Sequence, residues 1–436
     1  MSTTAIDTEL LERAVGKLPG DLLMPLRKEA LSRFAETGFP TTRHEDWRYT
    51  NLAPAIELSN LWLREAAPAA VDERLSDAVR QFAADLAAKI DAHWIVLANG
   101  AVDRDSLARL GDQELSGLGA VSIAGGKAAR PMAGDEPMTR FNTALLRDVL
   151  HITVGAEWGL DKPVGVLMID DTGSGAALSQ ARVILEVAPN ARAEFIEYHA
   201  STGADPHFAN VVTELHLAGN SAVDYVRVQD RDPAHYQVGR MMASLGCDSR
   251  LRHAAFDLGG ALVRNDISID IVHPGASVEL YGLYLASGRQ HIDNHTRVDH
   301  RVGPATSSEE YRGILGDRAR CVFNGKAIVH KGADGTDARQ ANHNLLLSDK
   351  AEIDTKPELE IYADDVKCSH GATVGQLDKK ALFYLRSRGL DREEAARILT
   401  RAFAAVIVAR APVQNARSHI EALIDEQLQV IVGGPA

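Results

Sequence analysis

The segment VVTELHLAGNSAVDYVRVQD, residues 211–230, holds two strand-like runs on either side of a turn at Asn220. Its β-branched and aromatic residues suit a pleated, half-buried surface, and Asn is one of the few residues that tolerates the left-handed backbone of a tight turn. The same texture continues outward along the chain. RVILEVAP (182–189), DISIDIVHPG (266–275) and VELYGLYLASG (278–288) also read as short strands broken by turn residues. The turn residues Asn190, Asn220, Asp248, Gly275 and Pro304 follow one another at intervals of 30, 28, 27 and 29 residues. A β-sandwich turns about every 8 to 12 residues, whereas the stacked coils of a solenoid give a longer and more regular period. Beyond Pro304 the signals come about twice as often, at Asp317, Asp334, Asp349 and Asp364, as expected if both sides of each coil become visible.

Helical periodicity lies on either side of this region. Up to about residue 150 the chain is mainly helical, with Leu26, Ala30, Leu31 and Phe34 on one stripe and apolar residues three and four apart over 71–90. A short strand, HWIVLANG (93–100), interrupts it. Thr42-x-x-Glu45 has the form of a capping box before Trp47 and is read as a helix start. After residue 377 the spacing predicts a short helix stopped by Gly389, then a capping box at Asp391-x-x-Glu394. That box opens a helix striped by Ala395, Ile398, Leu399, Ala402, Phe403, Val406 and Ile407. Pro412 ends it, and a final amphipathic helix spans about 415–430. Two such helices beyond a solenoid are expected to cap its open end.

Composition narrows the function. The 436 residues carry a net charge of −13 without a basic run, which excludes the clustered Lys and Arg that neutralise nucleic-acid phosphates. No apolar run approaches the roughly 20 residues of a membrane span, and the first residues lack a basic-then-apolar leader pattern, so a cytoplasmic location is expected. Cys247, Cys321 and Cys368 form no CxxC pair, which argues for reduced thiols rather than a disulfide framework or a self-contained zinc site. Cys247 and Cys321 are expected to be core residues. GSG at 173–175 and GGK at 125–127 lack the spacing of a phosphate-binding loop, and no GxSxG elbow is present.

The residues with most chemical promise lie in TKPELEIYADDVKCSHGATVG, 355–375. Side chains two apart on a strand share a face, so Val366, Cys368, His370, Ala372 and Val374 point one way and Lys367, Ser369, Gly371 and Thr373 the other. The thiol and imidazole of Cys368 and His370 then lie about 7 Å apart along the backbone, suited to soft-metal or iron-sulfur chemistry, or else to plain inward packing. His291, Asp293 and His295 also share a face and have the residue types of a metal site, although such polar ladders on solenoids are more often structural.

The 355–375 motif, followed by LFYLRSRG (382–389), resembles the SufB/SufD family of iron-sulfur cluster assembly proteins. QHIDNHTRVDH (290–300) and RHEDWRYTNL (43–52) resemble the same family, so the likeness runs from end to end. Gly371 directly after His370, where the SufB branch has glutamate, points to the SufD branch. The resemblance implies a mainly β chain with a right-handed parallel β-helix core (151–377). An N-terminal mainly helical, α+β domain (1–150) and a C-terminal helical domain (378–436) would flank it.

It further implies a non-catalytic scaffold that pairs with SufB, recruits the ATPase SufC through its C-terminal helices, and self-pairs into a homodimer when alone. His370 and Cys368 match the family residues associated with the forming cluster at the SufB interface. A cluster typically needs about four donors, so the remaining ligands would come from the partner or from sulfide. The sequence is silent on a flavin. Two alternatives stay open: a SufB-like or self-pairing paralogue, and a β-helix carbohydrate-active enzyme using Asp293, Asp299, Glu309 and Glu310. The absent leader and the 5% aromatic content weigh against the enzyme.

Overall fold

The computed structural model describes residues 5–65, 75–112, 118–123, 136–156, 161–174 and 178–433. The GGK run, Gly175 and residues 71–74 of the expected helical stripe lie outside them.

From residue 150 onward, successive strands alternate between two sheets. The first is ten-stranded and runs from Ala101–Val102 through His93–Ala98 and Val164–Asp171 to Asp337–Leu346 and Lys367–Gly375. The second is nine-stranded and runs from Leu118–Ile123 through Leu150–Val154 to Arg320–Val329 and Glu352–Ile361. All pairings within the sheets are parallel and each strand meets the next coil in register, except for the antiparallel Ala101–Val102 and Leu118–Ile123 strands at one end. This is a parallel β-solenoid, as the turn period implied.

The corners explain the period. Asn190, Asn220, Asp248 and Asp317 have φ of 62°, 55°, 54° and 47°, and Gly275 has 79°, so each is in the left-handed region. They also stack. The Asn220 amide Nδ2 donates to Asn190 Oδ1 at 2.8 Å, and the backbone N–H of Asn220 donates to the carbonyl of Cys247 one coil on, at 2.7 Å. Any side chain at position 275 would strike Asp248, which adds to the demand for glycine there.

Three apolar layers follow from the alternation of side chains. Inward-facing Val183, Val211, Tyr225, Ile267, Val278 and Phe323 fill the tube. Outward-facing Leu178, Phe208, Val238 and Leu262 of the second sheet are covered by the N-terminal helices Thr8–Lys17, Met24–Thr37 and Ala53–Glu65. Outward-facing Val226, Val228, Phe256 and Leu283 of the first sheet are covered by Ile407, Ile420, Ile424 and Leu428 of the C-terminal helices. Those helices, Arg392–Val408 and Gln414–Gly433, therefore lie along a face, and the expectation that they cap the open end is corrected. The apolar stripe of the first sheet, which extends from Leu167 to Ile314, offers these helices more surface than the small cross-section of the tube. The Asp391–Glu394 capping box is present and Gly389 has a φ of 98°. Thr42 forms no cap: the segment makes only a 3-10 turn, Glu45–Trp47, entered through His44.

The interior also contains neutral imidazoles. Burial pushes His253 down to about 3 and His235 and His300 down to about 4, from 6.5. Below pH 6.5 the unfolded chain binds protons at these rings that the folded chain refuses until pH 3–4, so their contribution is complete above 6.5 and lost as pH falls. Glu309, raised by burial to about 7, and Asp230, raised by burial to about 6, act in the opposite sense over the same window, but they are two groups against four once His419, lowered by burial to about 4, is added to the rings. The urea midpoint is expected to fall between pH 7.5 and pH 5. A constant or rising midpoint would show that the rings take up protons in the folded state.

Candidate functional site

The two polar motifs that are remote in sequence form one node. Arg264, fully buried on the second sheet, donates from Nη1 to Asp293 Oδ2 at 2.5 Å and to the carbonyl of Asp46 at 2.8 Å, while Nη2 bonds Asp266 at 2.8 Å. Its guanidinium lies 4.4 Å over the Trp47 ring. The Thr50 hydroxyl donates to Asp293 Oδ2 at 2.5 Å and sits 2.8 Å from His291 Nε2, and His295 Nε2 is 3.0 Å from Asp293 Oδ1. Burial alone would raise the Asp293 carboxyl. Arg264, His295 and Thr50 reverse this and hold it well below the usual carboxylate range. The His291–Asp293–His295 ladder is thus a lock that fixes the N-terminal segment to the solenoid. Among the described residues no three His, Cys, Asp or Glu side chains converge to hold a metal ion.

The acids of the carbohydrate-enzyme alternative are also accounted for. Asp293 is locked as above, Asp299 is paired with Arg297 and His330, and Glu310 with Arg312. Glu309 faces the inside of the tube, buried in the alternation of Thr306–Leu315. No two of these four present an open carboxylate pair to a sugar.

His370 and Cys368 lie elsewhere, on the last strand of the first sheet. Cys368 is in register with Ala338 and His370 with Gln340, both buried inward-facing residues, so the pair occupies the inner face of the tube at its final coil. Nothing covers that coil among the described residues. Lys367–Gly375 and Glu352–Ile361 are each paired on one side only, which leaves two rows of backbone N–H and C=O groups unpaired by sheet. The His370 side chain is exposed and Cys368 half-buried, with burial raising its thiol. As the free chain stands, Cys368 carries its proton and must lose it to bind metal. Ile361, Tyr362 and Val374 add exposed apolar surface around the same end. Cys321 is buried as expected, but Cys247 is exposed, because it sits in the corner just before Asp248 rather than on a strand.

With this geometry in hand, similarity to known proteins is decisive. Residues 168–403 match the domain described as "SUF system FeS cluster assembly, SufBD core domain", and residues 12–107 match the "SufBD protein N-terminal region". The chain belongs to the SufB/SufD family. It is 30% identical over 93% of its length to the iron-sulfur cluster assembly protein SufD of Escherichia coli, of which it covers 93%. It is 32% identical to a SufBD family protein of Synechocystis over 66% of this chain and 65% of that one. SufD of Bacillus subtilis is 26% identical over 68% of each. The family role is iron-sulfur cluster assembly, and in this chain no helix among the described residues is long and apolar enough to cross a membrane.

Sequence reasoning missed Arg264 and Thr50, which hold the node together, and Arg27, which is fully buried and bonds the carbonyl of Leu146 at 2.7 Å. The signal for Arg264 was an arginine inside the otherwise strand-like LVRNDISID. Arg264→Met is expected to strand the buried Asp293 and Asp266 charges and destabilise the protein by about 3–5 kcal/mol. Denaturant unfolding checks the loss, and tryptophan fluorescence checks release of Trp47.

Proposed function

We propose that this chain is a non-catalytic scaffold subunit of a SUF complex, in which a SufB-like paralogue docks on the open end of the solenoid and a SufC-like ATPase docks on the C-terminal helices. The observation that carries the reading is the placement of His370, exposed, and Cys368, half-buried, on an unpaired edge and on the inner face of the last coil. An unpaired parallel edge is a template for another strand, and a partner with the same solenoid matches its spacing coil for coil. A nascent cluster at that junction takes His370, with Cys368 beside it, from this chain and its other ligands from the partner or from sulfide. In the partner's absence the same edge supports self-pairing.

Docking of an ATPase is supported by apolar side chains that the solenoid leaves uncovered. Phe383 is 73% exposed, Tyr384 56% and Ile398 46%. Removal of everything after Asp391 would also strip the outer face of the first sheet, so point substitutions test this surface more cleanly. Phe383→Ser with Tyr384→Ser is expected to weaken capture of the ATPase at least tenfold, in keeping with loss of two aromatic anchors, and to leave the melting temperature unchanged. Unchanged capture would mean that the ATPase binds elsewhere.

For the cluster site, the complex purified with its co-expressed subunits is assayed for iron and acid-labile sulfide. His370→Ala is expected to reduce both severalfold without altering the melting temperature, since an exposed imidazole leaves no cavity. A destabilised variant that still builds clusters normally would overturn the assignment.

A further inference from the structure

Most other buried carboxylates of the solenoid have basic partners. Asp170 meets Arg231 and His207, Glu197 meets His199, Glu214 meets Arg182, Asp257 meets Arg227, Asp293 meets Arg264, and Asp299 meets Arg297 and His330. Glu309 meets none. It is 5% exposed and points into the tube, in register with Gln340, which is in register with His370 at the open end. Across the tube lies Gly325, where even a Cβ would stand 3.4 Å from Glu309 Oε2. Neither carboxylate oxygen has a hydrogen-bond partner, nor does the Gln340 amide at either atom or the Thr296 hydroxyl. Burial pushes the Glu309 carboxyl up to about 7, and the Thr296 hydroxyl, close enough to interact but outside hydrogen-bond geometry, pulls it partly back.

An ionised carboxylate so placed needs a positive charge beside it. The unpartnered groups around it are oxygen donors, a carboxylate, an amide carbonyl and a hydroxyl, and this set suits a divalent cation of the magnesium, manganese and ferrous kind rather than a soft ion. Glu309 and Gln340 stand in register on adjacent strands, about 4.8 Å apart, so one ion can reach an oxygen of each, and Thr296 faces the same interior from the other sheet.

We propose that Glu309, Gln340 and Thr296 form an interior site for a divalent metal ion of the ferrous type, entered from the open end past His370. The proposal rests on the reading of that end as the place of cluster formation, and gives it a position where iron is held inside the tube before use. Gln340, between the acid and the imidazole, is the step from one to the other.

The test is an anaerobic titration of the full chain with Mn²⁺ alone, following the electron paramagnetic resonance of the unbound ion. Wild type is expected to bind one equivalent that Glu309→Gln loses, with a drop in affinity larger than the 10- to 100-fold typical of outer-shell changes. Gln340→Met is expected to weaken binding, and His370→Ala to slow uptake without changing the equilibrium. Glu309→Gln should melt no lower than wild type, because it removes a charge that lacks a protein partner; if it fails to fold, Gln340→Met carries the test. Equal binding by wild type and Glu309→Gln overturns the site. So does the absence of binding, in which case a protonated-acid infrared band lost in Glu309→Gln would give the group to a proton instead. Normal cluster yield by a complex whose subunit binds no Mn²⁺ would remove this site and leave the proposed function standing. Binding without cluster formation would do the reverse.

Discussion

A parallel strand is satisfied only when it has a neighbour on each side, and this requirement organises the whole molecule. Each coil is templated by the one before it, side chain above side chain, because the backbone ladder permits no other register. At the amino-terminal end the stack is stopped by reversing direction: Ala101–Val102 and Leu118–Ile123 pair antiparallel and close the two sheets. At the other end no antiparallel strand closes either sheet among the described residues. The asymmetry leaves one growing edge, and His370 and Cys368 sit on it.

Ordinary burial settles the remainder. Both outer faces of the tube carry apolar patches over part of their length, and helices cover these, the amino-terminal ones on one sheet and the carboxy-terminal ones on the other. The charges enclosed in the process are paired almost throughout, as the cost of isolating an ion demands. Arg264 shows how far this goes, since one guanidinium satisfies Asp266 and Asp293 and stacks on Trp47 to hold the amino-terminal segment in place.

Much of this was legible in the sequence where backbone geometry restricts residue choice. Left-handed corners accept few residue types, so Asn190, Asn220, Asp248 and Gly275 marked the coils, and strand alternation placed Cys368 with His370 on one face. What the sequence did not reveal depends on contacts between distant segments. The amphipathic stripe of Arg392–Val408 says that one face is buried but not against what, and the tube end was the wrong choice. A capping-box pattern at Thr42 competed with a tight turn that His44 and Thr41 stabilise, and lost. Cys247 looked like core because free cysteines usually are, yet it falls in a corner. Glu309 read as a surface acid until the register showed that it points inward.

The strand Thr306–Leu315 ties a helix on one of its faces to the interior on the other. On its outer side Arg312 donates to the carbonyl of Phe403 at 3.1 Å and lies 4.9 Å over that ring, which fastens the helix Arg392–Val408 to the solenoid. On its inner side, three residues earlier, stands Glu309. Successive side chains are fixed to opposite sides of one pleat, so a strand cannot tilt on one face and stay still on the other. A torque applied to the helix would reach the interior as it reaches the far arm of a rigid lever, with no need for a relay of moving parts.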